Sequence, residues 1–420
     1  NSLCSGRLVS GISIGSVLPW CARLYGTYVS FAIDYGTYVR LALRGNPRPC
    51  KTNDTRMSSQ PDIPKVMKAM VLTGHGDLDM YHWHHDWPVP EPGPTDVLIK
   101  VGACGLNNTD VNTRSGWYSK AVDEATTGGA YAEVDDKDPT WGGKPITFPR
   151  IQGADAVGRV VATGSDADAS LIGKRVLVDG WVRDWEDPDN KDKTGYFGSE
   201  KNGGYAEYTM ADMRDVAVVE SDLSDAELAT FQCSYSTAEG MLVRANVGAK
   251  DTVLIPGASG GVGGALIQLA KRRGARVIAM ASEAKHADVA EMGPDVILPR
   301  SPDNLRKALG DEEITVGADV VGGGSWHTLI DILERGGRYT CSGAIAGPMV
   351  NLDLRTFYLR DLTFTGSTVI PQHVFHDMVK YIERGEITPM LAATYPLSEL
   401  REAQAAFIAK KHTGNIVVIP

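Results

Sequence analysis

Residues 251–275, DTVLIPGASGGVGGALIQLAKRRGA, restrict the possible folds more than any other stretch of this chain. The apolar run TVLIP leads into a turn rich in glycine, and a helix-period segment follows in which Leu266, Leu269 and Ala270 share a face and Gly274 supplies the stop. Strand, glycine turn and helix in direct succession form the setting in which a glycine loop holds a dinucleotide. Glycine lets the backbone turn tightly and approach a pyrophosphate, while the helix N-terminus offers unpaired N–H groups and the positive end of its dipole. The spacing is G-x-x-G-x-x-G, on Gly257, Gly260 and Gly263, with Ser259, Gly261 and Val262 completing the candidate cofactor loop. A glycine-rich turn with no ligand is the competing account, and the placement between strand and helix argues against it.

The next strand, VIAMAS, bears on which dinucleotide is held. A chain that binds NAD carries Asp or Glu at the end of this strand for the ribose 2′-hydroxyl. Met280 and Ala281 stand there instead, and Glu283 comes too late. Ser282, Lys285 and Arg300 are placed to meet a 2′-phosphate, so the expected cofactor is NADPH. For Lys285 the alternative is an ordinary solvated surface lysine.

Beyond residue 223 the texture is alternating α/β. PDVILP, GADVVGGG, GGRYTCSG and LTFTGSTV read as strands, LIDILERGG as an intervening helix, and SDAELATFQCSYSTAEGMLVRA as a helix with a capped start at Ser224, Asp225 and Glu227. Repeated βα units of this kind build a doubly wound parallel sheet. Before residue 223, KAMVLTGHG, DVLIKVGACG, DAVGRVVATGS, GKRVLVDG and GGYAEYTMAD are short strand-like runs punctuated by Gly and Pro. The expected organisation is an extension over 1–60, a β-rich catalytic domain over 61–225, a nucleotide domain over 226–368, and a return to the catalytic domain over 369–420. Two acidic stretches without periodicity, 119–146 and 181–200, interrupt the β-rich part; loops of this length are usually lids or mobile segments.

The first 56 residues do not begin with Met and repeat the pentapeptide YGTYV; they carry six Arg and Lys51 against two acids, Asp34 and Asp54. They read as upstream sequence ahead of a start at Met57, with an organellar transit peptide as the alternative. The run LVSGISIGSVLPW is too short and interrupted for a membrane span. A net charge of −10 lacks the basic footprint of a nucleic-acid binder. The six cysteines are scattered with no C-x-x-C pair, which points to reduced thiols in a cytosol-like compartment.

Taken together, residues 65–420 resemble the medium-chain dehydrogenase/reductase superfamily. GLNNTDVNTRSGWY at 105–118 is similar to its quinone oxidoreductase branch, which shows G-L-N-x-x-D-x-x-x-R-x-G here, and PRIQGADAVGRVVATG also matches. The resemblance implies a GroES-like β domain, a Rossmann domain, an active site in the cleft between them, and a homodimer. Zinc-dependent relatives supply Cys, a His-Glu pair and a second Cys. Here Asn107, then Ala154 and Asp155, take the first places, and only Cys233 falls at the third. A catalytic zinc needs three protein ligands, so no metal is expected. The four-cysteine structural lobe has no counterpart in 181–200, and Cys104 reads as strand packing. YHWHHDW at 81–87 reads as a polar surface strand, with His82 and His84 on one face and His85 on the other.

Hydride delivery without a Lewis acid requires an activated acceptor, such as a quinone or an α,β-unsaturated carbonyl, and donors near the oxygen that gains charge. The resemblance implies Asn107 and Tyr118 as the catalytic residues beside the nicotinamide, and Thr237 close to the cofactor. Ser342, Gly343 and Ala344 end a strand on the cofactor side. The branch often carries a second tyrosine where this chain has Asn112, which weakens a two-tyrosine scheme. Asp110 and Arg114 share the segment and are expected to form a structural ion pair. The expected substrate is a small electrophile, with an enoyl thioester, a zinc-type alcohol reaction and an NADPH-binding sensor as alternatives.

Overall fold

The computed structural model describes residues 63–420, except 132, 133, 136, 139 and 141–143, together with the backbone of a hairpin pairing Arg23–Leu24 with Thr27–Tyr28. The expectations for the extension otherwise lie outside the described residues. Among the described residues no helix is long and apolar enough to cross a membrane.

Six parallel strands form the nucleotide-side sheet, in the order Val296–Pro299, Arg276–Ala281, Thr252–Ile255, Ile314–Asp319, Leu333–Cys341 and Thr363–Gly366. Numbered along the chain this is 3-2-1-4-5-6, the doubly wound order, and the glycine turn follows strand 1 at the point where the order reverses. The helix Gly261–Arg272 buries Leu266, Leu269 and Ala270 completely, and Gly274 beyond its end has φ +76°. Two elements end differently from expectation. The helix Trp326–Asp331 stops before Glu334, because Leu333 already pairs with Ile314 in the sheet. The stretch after Ser224 forms two helices. Asp225–Leu228 is closed by a Ser224–Glu227 capping box, and Gln232–Arg244 has its own anchor, the Asp155 carboxylate accepting from the Cys233 amide at 2.9 Å.

The second sheet has seven strands. The path runs Val216–Val218, Arg175–Val178, Asp155–Thr163, Asp96–Gly105, Asn415–Ile419 and Leu391–Pro396, and Tyr208–Asp212 also pairs with Asp96–Gly105. A hairpin of Val66–Leu72 and Tyr81–Pro88 accompanies it. Val97, Ile99, Cys104, Val160, Val176, Ile416 and Val418 pack into one apolar cluster. The last strand therefore belongs to the β-rich half, although the residues just before it touch the glycine loop: the Gly414 amide donates to Ser259 O at 3.0 Å. Asn415 reinforces the crossing, its side-chain amide donating to Thr230 O at 2.9 Å and Ser234 Oγ at 3.1 Å.

Candidate active site

The strand Asp96–Gly105 delivers Asn107 to the cleft. A side chain at Gly105 would lie 2.2 Å from Ala229 O, so the strand can meet the end of the Asp225–Leu228 helix only as glycine. Leu106 N–H donates to Ile416 O at 2.9 Å, and Asn107 then caps the helix Asn108–Ser115. Asp110 closes that cap, accepting from Asn107 N at 2.8 Å and from Gly153 N at 3.2 Å. The Asn107 side-chain amide donates to Asp155 Oδ2 at 2.9 Å, while the other oxygen of Asp155 takes the Cys233 amide. Asp155 is wholly buried, and burial pushes its carboxyl up to about 7 against the lowering effect of the Asn107 and Cys233 hydrogen bonds. Burial likewise raises Asp110 to about 6.

Cys233 and Thr237 lie one turn apart on the Gln232–Arg244 helix, where four residues' separation places side chains on one face. Burial holds the Cys233 thiol well above its usual range, with the Tyr196 and Thr237 hydroxyls against it. Tyr118 is half-buried; burial raises its phenol too, and the side chains of Thr109 and Asn112 lie within hydrogen-bonding reach of its hydroxyl, with Cys233 nearby. Asn107, Tyr118 and Thr237 thus gather around Asp155 and Cys233. In sequence Asp155 is only an occupant of the family's glutamate position; in the structure it is the acceptor that meets the Asn107 amide. A carboxylate inside the otherwise apolar GADAVG was the available signal.

The expected ion pair between Asp110 and Arg114 does not form. The carboxylate of Asp110 is taken up by the two backbone N–H groups. Arg114 is fully buried and donates to Gly76 O, Gly128 O and, at 3.1 Å, to Gln404 Oε1. Fixed interior acceptors outcompete a carboxylate that is already capped.

At the cofactor end, Gly257 has φ +65°, which favours glycine, and Gly260 is the N-cap of the Gly261–Arg272 helix. A Cβ on Gly263 would sit 2.3 Å from Gly257 O, and one on Gly261 2.2 Å from Asn415 Oδ1, so both let the helix start press onto its surroundings. Ser259 meets the C-terminal segment through its carbonyl, and Val262 packs against the main apolar cluster. Ala281 lies opposite Pro299 in the sheet, so Ser282 and Arg300 leave neighbouring strand ends side by side. Lys285 is half-buried rather than freely solvated, its ammonium donating to Lys410 O at 2.8 Å and to His412 O. Burial lowers its pKa, Asp288 counteracts this, and the charge of Arg300 lowers it further. Ser342, Gly343 and Ala344 follow the strand Leu333–Cys341; the Ser342 amide reaches Asp319 O at 3.3 Å, which brings this turn to the same sheet edge as Gly257.

Among the described residues, no group of three His, Cys, Asp or Glu side chains could hold a metal ion. Two of the three histidines of Tyr81–Pro88 are engaged with tryptophan: Trp83 Nε1 donates to His85 Nε2 at 3.1 Å, and the His84 and Trp87 rings meet edge to face at 5.2 Å.

Residues 93–221 match the alcohol dehydrogenase GroES-like domain and residues 261–384 the zinc-binding dehydrogenase family. A solved structure from Sinorhizobium meliloti 1021, provisionally described as an alcohol dehydrogenase, is 44% identical, with a TM-score of 0.77 over 85% of this chain and 98% of its own. The chloroplastic NADPH-dependent alkenal/one oxidoreductase of Arabidopsis thaliana is 26% identical over 87% of this chain and 82% of its own length. Quinone oxidoreductase of Pongo abelii is 26% identical over 84% and 98%. A GroES-like sheet, a Rossmann sheet in doubly wound order and these relatives lead to one conclusion: the chain belongs to the medium-chain dehydrogenase/reductase superfamily, an oxidoreductase family.

Proposed function

We propose that the protein is an NADPH-dependent reductase of quinones or activated alkenes, of the quinone oxidoreductase-like branch, working without zinc. The observation that carries this reading is the replacement of metal donors by hydrogen-bond donors at the substrate end of the cleft. Asn107 turns its NH2 to Asp155, Ala154 offers no donor atom, and Cys233 is left as the one member of the family's ligand set. This donor set does not fit a zinc ion.

When bound, the nicotinamide supplies the hydride. The backbone of Gly257–Gly263 and the helix N-terminus behind it bind the pyrophosphate. Ser282, Lys285 and Arg300 hold the 2′-phosphate, a role supported by two cations beside neighbouring strand ends. Thr237, Ser342, Gly343 and Ala344 border the nicotinamide. One N–H of the Asn107 amide is spent on Asp155, and the other is free for the substrate oxygen. Tyr118, kept protonated by its raised pKa, donates to that oxygen as charge develops. Asn112 occupies the place of a second tyrosine, so a single phenol serves. The alkenal/one and quinone relatives support the acceptor class.

We extend the reading to a homodimer. The edge strand Thr363–Gly366 and the exposed Met349, Leu354, Tyr358 and Leu359 beside it support pairing with a second copy.

The test is NADPH oxidation by the full chain against quinones, enones and enoyl thioesters, with zinc measured in the same preparation. Turnover of quinones or enones with less than stoichiometric metal is expected. Turnover of enoyl thioesters alone, of alcohols in zinc-loaded protein, or nucleotide binding with no turnover would each overturn the proposal.

A further inference from the structure

Residues 117–131, which lead into the acidic insertion, touch both halves of the molecule. The segment is held internally by Trp117 Nε1 donating to Glu124 O at 2.8 Å and Tyr131 Oη donating to Ala125 O at 2.9 Å. The buried Arg114 guanidinium ties it to the catalytic domain through Gly128 O. A Cβ on Gly128 would meet Ile408 at 2.6 Å, so the segment lies hard against the C-terminal helix Leu400–Ile408.

Thr126 makes two connections of different kinds. Its backbone N–H donates to Ile345 O at 3.0 Å, in the turn that begins with Ser342 on the nucleotide side. Its hydroxyl donates to Asn112 Oδ1 at 3.2 Å. Asn112 is buried; the bond from Thr126 fixes which way its amide faces, and its hydrogen bond to the Tyr118 hydroxyl lowers the phenol's pKa, the sense of an NH2 donating to the phenol oxygen. A phenol that accepts from Asn112 has its own proton left to give.

We infer that Thr126 is a positioning residue: through Asn112 it aims the Tyr118 proton into the cleft, and its backbone bond to Ile345 makes that alignment conditional on the two domains being closed. The inference rests on Tyr118 being the proton donor of the proposed reduction. In that step the Tyr118 O–H bond breaks and a new O–H bond forms on the substrate oxygen as the hydride from NADPH reaches the β carbon. The phenolate is reprotonated by water. Chemistry is thereby withheld while the cleft is open, when a proton aimed at the nicotinamide side has no use.

The experiment compares Thr126→Val, Thr126→Ser and Tyr118→Phe in the full chain, on whichever quinone or enone the protein reduces. The readouts are kcat, KM, the solvent deuterium isotope effect and the Kd for NADPH. Thr126→Val should lower kcat by about fivefold, the weight of one neutral hydrogen bond, and raise the solvent isotope effect. KM and the NADPH Kd should stay at wild-type values, and Thr126→Ser, which keeps the hydroxyl, should restore kcat. Thr126 is only partly buried, and Thr126→Ala gives the same comparison if the valine variant is unstable. Wild-type kcat in Thr126→Val, or a serine variant as slow as the valine one, would overturn the inference while Tyr118→Phe is impaired. Wild-type kcat in Tyr118→Phe would overturn the role of Tyr118 itself, and the inference with it.

Discussion

Replacing Asp155 with asparagine keeps the shape of the side chain and removes its charge. In the unfolded chain this carboxyl ionises at about the usual 3.8, and in the folded protein at about 7, because burial disfavours the charged form. Between those values the native state keeps a proton that the unfolded chain has released. The contribution of Asp155 to stability is therefore fully present below pH 3.8 and declines as pH rises, until it is lost above about 7. From pH 5 to pH 8 this loss amounts to about 3 kcal/mol, and Asp155→Asn does not suffer it. A separate cost does not vary with pH. The amide can accept from Asn107 or from the Cys233 N–H but presents its own NH2 to the other, leaving a buried donor unpaired at about 1–3 kcal/mol. The variant should be less stable than the native protein at pH 5 and equal or more stable at pH 8. Urea unfolding at fixed protein concentration across that range measures the difference. Asp110, raised to about 6 for the same reason, is present in both chains and drops out of the comparison. Parallel stability curves from pH 5 to pH 8 would refute the reasoning, since they would mean that Asp155 is ionised throughout.

Lys285→Glu should weaken NADPH by about 2 kcal/mol, roughly thirtyfold in Kd, and leave NADH little changed; equal affinity of the unaltered protein for both nucleotides would contradict the assignment. Gly263→Ala places a methyl 2.3 Å from Gly257 O and must push the helix off its turn, at about 1–3 kcal/mol of stability and with loss of nucleotide binding, both readable by thermal melts with and without NADPH.

The doubly wound half was legible because its signals are local. The glycine turn, the apolar face of the helix after it and the spacing of the strands each lie within some 25 residues of chain. The stretch 225–244 reads as one helix, but the second helix takes its own start from outside, where the Cys233 amide donates to Asp155. The Asp110–Arg114 pairing failed for a related reason. A rule drawn from solvated helix faces does not hold for two buried groups whose better acceptors and donors, Gly76, Gly128, Gly153 and Gln404, come from distant segments. Asn107 and Tyr118 could be named from their segment, but what orients them could not. Asp155 lies in a different strand, and Thr126 in a stretch with no periodicity at all. Local pattern and resemblance single out Asn107 and Tyr118; the side chains they meet are set by tertiary contact.

The pairing of Leu106 with Ile416 has a consequence for how the protein is made. The segment that presents Asn107 emerges from the ribosome early, and the strand Asn415–Ile419 that pins it emerges about 310 residues later, after the whole nucleotide domain. Until then the end of Asp96–Gly105 is an open sheet edge, the kind of surface on which nascent chains aggregate. The same late residues bring Gly414 to the glycine loop. Residues 414–416 thus hold two distant places at once, the segment that presents Asn107 and the glycine turn, so neither can shift without the other.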